Sequence, residues 1–388
     1  MKMTYRMHEG QNHILANRRR YNVVACGRRF GKSRLAYAVA MECIAGKLPV
    51  SYWTPTATDY EKRWDEFVKT HRGAIINLRT KDGIIVFRNG SEMHWFGLHR
   101  YDGGRGNKYA RVIIDEAAHS DNLADAWAEV IRPTLTDYKG DAWLLSTPNW
   151  RQKDQSFKRF CNTVRDDYAV FRMPSTANPY IDPAEIEDAR NDPNMPSVIF
   201  RQEYLAEDVE LQGALVNRED IRYGHPAEGE RIEYNLGVDL AISTKEGADY
   251  TAIAVVGKVE NRYYIVDVLR RQMGFNDTKT AIKKMAAKWQ PTFVNIEAVQ
   301  YQAAIVEDLK MEMREYYVNA IHPDRDKRSR FLPTLGKYEH GLVYHSATLP
   351  PEFEGELLQF PEGDHDDMVD AVVYAMKGFD SGVRVYNI

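Results

Sequence analysis

Short apolar runs alternate with amphipathic segments along the first part of the chain. The runs at 23–26, 112–114 and 142–145 favour buried strands, and residues 35–41, which follow the first run, predict a helix. This succession predicts an open α/β sheet, in which ligands bind beyond the carboxyl ends of the strands.

A hairpin is predicted between the first two of these runs. Residues 84–87 and 92–96 are apolar segments that flank Asn89-Gly90. Asn-Gly is a strong signal for a tight hairpin turn, because both residues tolerate a positive φ. The polar, glycine-rich loop 100–107 then leads into the next apolar strand.

The second half of the chain restarts with strands. Residues 234–241, 251–257 and 263–268 predict an antiparallel meander, and a helix over 281–289 leads to another strand at 293–297. The middle of the chain is rich in turn residues, with two short helices predicted. We therefore predict a nucleotide-binding core over 1–170, a cap or linker region over 171–230 and a second domain over 231–388.

The turn after the first strand has the features of a phosphate-binding loop. Backbone N–H groups at a helix start favour an anion. Lys32 offers a point charge to the β- and γ-phosphates, and Ser33 offers a hydroxyl to Mg²⁺. Cys26 stands where the usual spacing has a glycine, and Gly27 comes one step late. The candidate nucleotide-binding residues of this loop are Gly27, Arg28, Arg29, Gly31, Lys32 and Ser33.

Two further strand ends complete the predicted nucleotide site. Asp115 and Glu116 follow one apolar strand, which suits Asp115 to hold Mg²⁺ and Glu116 to polarise the attacking water. Ser146 and Thr147 end the next strand, where hydroxyls can sense the γ-phosphate. Three strand ends in this order predict a P-loop NTPase of the RecA/ASCE type.

Three more side chains are candidates for contact with ATP. The Gln11 amide can both donate and accept, so it is suited to read the adenine edge, although a helix-surface role is equally compatible with its position. Arg28, inside the phosphate loop, and Arg105, in the loop 100–107, are alternative arginine fingers, supplied in cis or by a neighbouring subunit. A mobile, solvated loop is the other reading of 100–107.

Carboxylates from distant positions form a second pattern. Asp239 lies in the first strand of the second domain, Glu297 ends the fourth strand, and a final helix over 364–374 starts with Asp366, Asp367 and Asp370. Two-metal phosphodiester cleavage needs acidic ligands for ions about 4 Å apart. This pattern predicts an RNase H-like (RuvC-type) nuclease, since helix-dipole matching explains the helix acids but not Asp239 and Glu297.

Several assignments within the second site stay open. Asp367 and Asp370 share a helix face at i and i+3, and Asp366 is an alternative ligand. Asp249 is either an outer ligand or a turn residue. The basic run 322–330 either contacts DNA phosphates or forms a solvated loop.

Composition and charge limit the kinds of partner and the cellular compartment that fit this chain. The chain has 388 residues, of which 44% are hydrophobic and 28% charged, and a net charge of −4 that restricts nucleic-acid contact to local patches. Three cysteines show no metal or disulfide spacing, which fits a reducing cytoplasm. No apolar run is long enough to span a bilayer, and the first residues lack a signal-peptide core, so we expect no membrane association.

Taken in order, these motifs resemble the large terminase subunit of tailed bacteriophages. The resemblance runs from Gln11 to about Met376 and so covers both predicted domains. It rests on the shortened Gly27–Ser33 loop, Asp115-Glu116-Ala117, Ser146-Thr147-Pro148, Asn178-Pro179, Arg201-Gln202-Glu203-Tyr204, Gly237-Val238-Asp239 and residues 365–371.

The resemblance implies an ATP-driven DNA-packaging enzyme. Large terminases form a ring, usually a pentamer, on the portal protein of a procapsid, push double-stranded DNA inward and cut the concatemer, while a small terminase subunit recognises viral DNA. Such a protein acts in the host cytoplasm, transiently at the procapsid portal, and is absent from the mature virion. The implied roles are phosphate and Mg²⁺ binding by Lys32, Ser33 and Asp115, water activation by Glu116, action across subunits by Arg105, and nuclease metal binding (Mg²⁺, alternatively Mn²⁺) by Asp239, Glu297 and Asp367.

Two other functions are compatible with parts of the pattern. One is a helicase-like translocase with an inactive nuclease fold, which the presence of all three nuclease acids disfavours. The other is a DNA clamp switched by ATP, which would not need the water-polarising carboxylate of Glu116.

Overall fold

The computed structural model describes residues 5–149, 153–209, 213–241, 250–298, 303–323 and 325–380. The chain divides into two compact units. The first comprises Met1–Arg190 and Val198–Glu210, and the second comprises Asn191–Ser197 and Leu211–Ile388. The predicted cap or linker region 171–230 is therefore shared between the two units.

The first unit is built on an eight-stranded sheet. Its strand order is β3-β4-β5-β2-β6-β7-β1-β8, and all neighbours are parallel except the pairs β3–β4 and β4–β5. The strands are β1 (Tyr21–Cys26), β2 (Val50–Thr54), β3 (Ile75–Arg79), β4 (Ile84–Phe87), β5 (Glu92–Gly97), β6 (Arg111–Asp115), β7 (Asp141–Ser146) and β8 (Tyr168–Met173).

Helices accompany this sheet along the chain up to Glu203. They are α1 (Glu9–Ala16), α2 (Lys32–Ala45), α3 (Ala57–His71), α4 (Leu123–Ala126), α5 (Arg132–Thr134), α6 (Ser156–Cys161), α7 (Pro183–Asn191) and α8 (Ser197–Glu203). A π-helical turn, Trp127–Ile131, joins α4 to α5.

The central strands are buried on both faces, as their continuous apolar runs predict. Val24 and Cys26 of β1 pack into one hydrophobic core with α2, whereas Val23 and Ala25 pack into the core on the opposite face. The strands β6, β7 and β1 are adjacent in that order, so their carboxyl ends meet at one edge of the sheet.

The predicted hairpin is present, but a strand beside it was missed. Gly90, with φ +86°, donates its N–H to the Phe87 carbonyl at 2.9 Å and so closes the turn between β4 and β5. The edge strand β3 was not predicted, because Asn77 and Arg79 interrupt its apolar pattern. A strand with a neighbour on one side alone does not require a continuous apolar sequence.

The second unit contains a seven-stranded mixed sheet in the order β14-β13-β10-β11-β12-β15-β9. The predicted antiparallel meander is confirmed by the pairs β10–β11 and β11–β12, and β13 is parallel to β10. The strands are β9 (Arg222–Tyr223), β10 (Glu233–Asp239), β11 (Thr251–Val259), β12 (Arg262–Arg271), β13 (Phe293–Glu297), β14 (Tyr317–Ile321) and β15 (Val343–His345).

Five helices accompany this second sheet. They are α9 (Phe275–Trp289), α10 (Ala303–Glu312), α11 (Lys327–Glu339), α12 (Pro351–Leu357) and α13 (Asp367–Lys377). Across the described part of the chain, no helix combines the length and apolar character needed to cross a membrane.

A close backbone approach places α13 against β10. A Cβ added to Gly237 would lie 2.0 Å from the Ala371 carbonyl oxygen and 2.3 Å from the Ala375 nitrogen. Since both neighbours are backbone atoms, no side-chain rotation can make room. The absence of a side chain at 237 therefore fixes how closely the acidic start of α13 can lie to the end of β10.

Gly237→Ala should lower the free energy of unfolding by about 3 kcal/mol, because α13 must move away from the sheet. Urea denaturation of the full chain measures this change. Gly355→Ala, on α12, is the matched control, because a Cβ there would have no neighbour within 4 Å. Equal stability of the two variants would contradict the close approach as the reason for glycine at 237.

Candidate active sites

The phosphate loop has the backbone expected for an anion site. Arg29 and Gly31 have φ angles of +60° and +101°, and α2 starts immediately afterwards with Lys32. A positive φ at a non-glycine residue is uncommon and is retained where surrounding contacts enforce it. The loop therefore has the conformation that directs the first N–H groups of α2 towards a single point.

Lys32 is held over this loop by three oxygens. Its Nζ donates to the carbonyls of Cys26 at 3.0 Å and Gly27 at 3.1 Å, and to Oγ1 of Thr147 at 2.8 Å. The structure thus brings the loop lysine to the end of β7, as the order of the three strand ends predicted. Thr147 provides the direct link between them.

The loop is braced by residues from the predicted cap region. The Arg28 N–H donates to the Glu203 carbonyl at 2.7 Å, and the Ser175 hydroxyl donates to the Arg28 carbonyl at 2.7 Å. A Cβ at Gly27 would lie 2.5 Å from both the Ser175 Oγ and the Tyr204 carbonyl oxygen. This close approach explains why the glycine stands at 27 rather than at the usual position 26.

The Gln11 amide, which was predicted to read adenine, is hydrogen-bonded to the protein backbone instead. Its Oε1 accepts from the His8 N–H at 3.1 Å, and its Nε2 donates to the Gly31 carbonyl at 2.9 Å. The residue is 1% exposed. Both ends of the amide are therefore engaged within the protein, and reading of adenine by Gln11 stays a prediction.

Asp115 is completely buried at the end of β6. Its Oδ2 accepts from the Tyr52 hydroxyl at 2.8 Å and pairs with Arg63 Nε at 2.9 Å. Its Oδ1 has no hydrogen-bond partner among the residues that the structure describes. Burial raises the pKa of Asp115, and the Arg63 charge opposes this rise. An oxygen without a partner on a buried carboxylate fits a residue that ligates a cation.

Glu116 follows in a left-handed conformation, with φ +54°. Its carboxylate lies 3.4 Å from Arg63 Nη2 and 3.7 Å from His119 Nδ1. The sequence analysis missed Arg63, which contacts both predicted carboxylates. Its only sequence signal is its place on the amphipathic segment that follows β2.

The two candidate arginine fingers are both engaged in ion pairs. Arg105 pairs with Asp102 and Glu129, each at 2.7 Å, and its side chain is half exposed. Arg28 pairs with Glu203. The structure of a single chain thus leaves open the choice between Arg28 in cis and Arg105 from a neighbouring subunit.

In the second unit, parallel pairing brings two predicted acids together. Val238 of β10 pairs with Ile296 of β13, and Asp239 and Glu297 each follow by one residue. Burial, together with a hydrogen bond to Glu297, raises the pKa of Asp239 well above its usual range. Two carboxyl groups that share a hydrogen bond hold a proton between them.

The start of α13 adds Asp370 to this group. Asp370 is 2% exposed, its Oδ2 lies 3.1 Å from Arg330 Nη2, and its Oδ1 has no hydrogen-bond partner in the described part of the chain. Burial raises the pKa of Asp370 to about 7, although Arg330 opposes the rise. Asp367 and Asp370 both act on Asp239 electrostatically, so all four acids share one site.

Asp366 differs from these acids because it is already paired. Its two oxygens accept from Lys327 Nζ at 2.6 and 2.7 Å. Asp249 lies outside the described residues.

A buried glutamate holds the start of α13 in place. Glu356 Oε1 accepts from the N–H groups of Met368 at 2.7 Å and Val369 at 3.0 Å, and Oε2 pairs with Arg270 at 3.1 Å. A carboxylate on the first N–H groups of a helix stabilises it. Glu356 therefore positions the helix that carries the acids. It was missed because it belongs to a different helix, and no local pattern connects it to α13.

The carboxylates of the second site are ligands that suit divalent metals. They are not arranged around a single point as they would be in an occupied metal site. Among the described residues, no three His, Cys, Asp or Glu side chains are grouped so as to hold an ion. Instead, Lys327 and Arg330 lie among the carboxylates. Acids with raised pKa values are the groups that a divalent cation would hold in the ionised form.

Comparisons with known proteins agree with the two-unit organisation. Residues 236–378 match the family model described as the terminase RNaseH-like domain. The terminase large subunit of Escherichia phage T5 is 29% identical over 209 residues, which are 51% of this chain and 46% of that protein. The match therefore spans about half the length of the curated relative.

Solved structures show the same fold over almost the whole chain. The large terminase of a thermophilic bacteriophage in complex with ADP is 13% identical, with a TM-score of 0.59 over 97% of this chain and 100% of that one. The complex of the same terminase with ATP-γ-S is also 13% identical, with a TM-score of 0.56 over 95% of this chain and 98% of that one. The predicted fold class, a P-loop ATPase unit followed by an RNase H-like unit, is confirmed.

In metal-free buffer, the stability of the second unit should fall as the pH rises from about 5 to 8. Asp370 has a pKa of about 7 in the folded chain, against about 3.9 in the unfolded chain. Protonated Asp370 therefore contributes fully to the free energy of unfolding below the unfolded pKa, and this contribution is lost as the pH rises through the folded pKa. Asp370→Asn removes this loss. The difference between the two proteins should grow by about 2 kcal/mol over this range.

Urea denaturation at both pH values, in the presence of EDTA, measures this difference. Asp308→Asn, on α10, is the control, because Asp308 pairs with Lys279 outside the site. Parallel pH profiles for wild type and Asp370→Asn would contradict the raised pKa.

Proposed function

We propose that this chain is a terminase large subunit, which hydrolyses ATP to move double-stranded DNA into a procapsid and cuts concatemeric DNA with divalent metal ions. The observation that carries the proposal is the presence of two separate carboxylate sites in one chain. One lies beside the phosphate loop of a P-loop fold, and the other lies in an RNase H-like fold.

We propose the following roles in phosphoryl transfer for the groups of the first site. Lys32 would exchange its carbonyl contacts for the β- and γ-phosphates, and Ser33 and Asp115 would hold Mg²⁺. Glu116 would accept a proton from the attacking water. Arg63 would keep both carboxylates oriented through its contacts at 2.9 and 3.4 Å.

Hydrolysis in this site is linked to the rest of the unit through the end of β7. Thr147 contacts Lys32, and the neighbouring Ser146 accepts from the Ala118 N–H at 3.1 Å, two residues after Glu116. A change at the γ-phosphate would therefore reach both β7 and the segment after β6. We propose these contacts as the start of the coupling between hydrolysis and DNA movement.

In the second site, Asp239, Glu297, Asp367 and Asp370 would hold the metals, with Asp366 as a further ligand. Mg²⁺ or Mn²⁺ bound there would activate water and stabilise the charge on the cleaved phosphodiester. Arg330 and Lys327 would partly neutralise the acids before metal binding. The same cations would contact the incoming DNA phosphate.

The proposed setting follows from the homology. The chain would act in a homo-oligomeric ring, a pentamer, in the host cytoplasm and transiently on the portal protein of the procapsid, without becoming part of the mature virion. A small terminase subunit would select viral DNA. The half-exposed position of Arg105 suits action on a neighbouring subunit, with Arg28 in cis as the alternative. The functional regions would be 1–170, 171–230 and 231–388.

Glu116→Gln should reduce ATP hydrolysis by about 100-fold or more, because the amide cannot accept the proton of the attacking water. ATP binding should persist, because Lys32 and the phosphate loop are unchanged. Steady-state phosphate release and nucleotide binding measure the two quantities. Glu61→Gln, an exposed change on α3, is the control. Undiminished hydrolysis in Glu116→Gln would remove Glu116 from this role.

Asp239→Asn should abolish plasmid cleavage with Mg²⁺ or Mn²⁺ and leave ATP hydrolysis intact, since the two sites lie in separate units. Both activities are measured in the same samples. The control is Asp277→Asn, an exposed acid on α9. Absence of cleavage by wild type with either metal, with ATP hydrolysis present, would contradict the nuclease part of the proposal and favour a translocase.

A further inference from the structure

The second unit contains a basic cavity beside the nuclease acids. Its volume is about 300 Å³, and it lies between the loop after β14, one face of α11 and the second half of α13. Five basic side chains line it: His322, Arg325, Arg330, Lys337 and Lys377. Of the described residues in its lining, none is an aspartate or glutamate. This contrasts with the acidic group on the other side of Arg330.

Arg330 contacts the nuclease acids and also lines the cavity. One terminal nitrogen lies 3.1 Å from Asp370 and the other lies 3.8 Å from Glu297, while the same side chain lines the cavity. The side chain is 10% exposed, and its buried Nε has no hydrogen-bond partner among the described residues. A buried guanidinium donor without a partner indicates an acceptor that a ligand would supply.

The other cations suit an anion rather than a neutral ligand. His322 donates through Nδ1 to the Ala298 carbonyl at 2.8 Å, because a carbonyl can only accept, and this leaves Nε2 for other contacts. Lys337 is buried in the wall, and Lys377 and Arg325 are exposed at the rim. Cations from three elements around one cavity form a site for a phosphate group.

We propose that this cavity binds a phosphate of the DNA strand next to the phosphate that is cut. The inference rests on the proposed nuclease function and names a second contact for its substrate. Phosphates follow one another every 3.4 Å or so along the axis of one strand. A strand whose scissile phosphate lies at the acids would place another phosphate on the far side of Arg330, which contacts the acids and also lines the cavity. Such contacts set the register of the strand without reading its sequence.

The test uses the full chain with Arg325→Ala and Lys377→Ala combined, because both residues are exposed at the rim and neither belongs to the group of nuclease acids. Binding of a short, fluorescently labelled duplex is followed by anisotropy in EDTA, with NaCl varied from about 50 to 200 mM. We expect about tenfold weaker binding at low salt. The slope of log K against log salt should fall in magnitude by about 1, since the loss of one phosphate contact removes roughly 0.9.

The matched control is Lys283→Ala with Lys310→Ala, which removes the same charge from α9 and α10 outside the cavity. An equal loss in the control, or an unchanged slope in the cavity variant, would overturn the proposal. Thermal unfolding with inorganic phosphate separates the two sources of a phosphate group. Stabilisation of wild type but not of the cavity variant, with equal DNA binding by both, would assign the cavity to free phosphate and overturn the DNA contact.

The measurement is independent of cutting. If wild type fails to cleave DNA with either metal while the cavity variant binds DNA more weakly with the reduced slope, the nuclease proposal is contradicted and the phosphate contact is supported.

Discussion

Each unit of this protein holds a carboxylate out of water, at a strand end in the first unit and at a helix start in the second, and an arginine lies against it. Asp115 is completely buried against Arg63, and Asp370 is almost completely buried against Arg330. An unpaired buried carboxylate would be strongly destabilising. The arginines reduce this cost without saturating the oxygens, because one oxygen of each carboxylate has no hydrogen-bond partner in the described residues. Burial against an arginine thus leaves one carboxylate oxygen in each site that could ligate a cation.

The surrounding structure serves to hold these acids at fixed positions. In the first unit, Ser175, Glu203 and Tyr204 brace the candidate phosphate loop through contacts so close that position 27 must be a glycine. In the second unit, Gly237 lets α13 approach β10, and Glu356 fixes the first N–H groups of that helix. Both sites therefore depend on contacts between segments that are separate in sequence.

The two sites differ in the contacts that their charged groups make within the protein. At the candidate phosphate loop, Lys32 Nζ donates to the carbonyls of Cys26 and Gly27 and to Thr147, and bound phosphates would have to replace the carbonyl contacts. At the second site, Asp239 and Glu297 share a hydrogen bond, and Lys327 and Arg330 lie between the acids. Binding of divalent metal there must displace a proton and move these cations.

The amino-acid sequence by itself determined the α/β class, the order of the central strands along the chain, the Asn-Gly hairpin and the positions of the candidate acids. These features depend on local patterns: apolar runs, turn residues and acids at strand ends. Edge strands such as β3 escaped prediction, because a strand with one neighbour needs no continuous apolar run.

Only the tertiary structure decided which cations face the acids. Arg63, Arg330 and Glu356 lie between 12 and 86 residues from the groups they contact, and no local pattern marks them. The engagement of Gln11 with Gly31 and the basic cavity behind Arg330 were likewise invisible in the sequence. Side chains acquire these roles through packing between separate segments, which periodicity and spacing do not record.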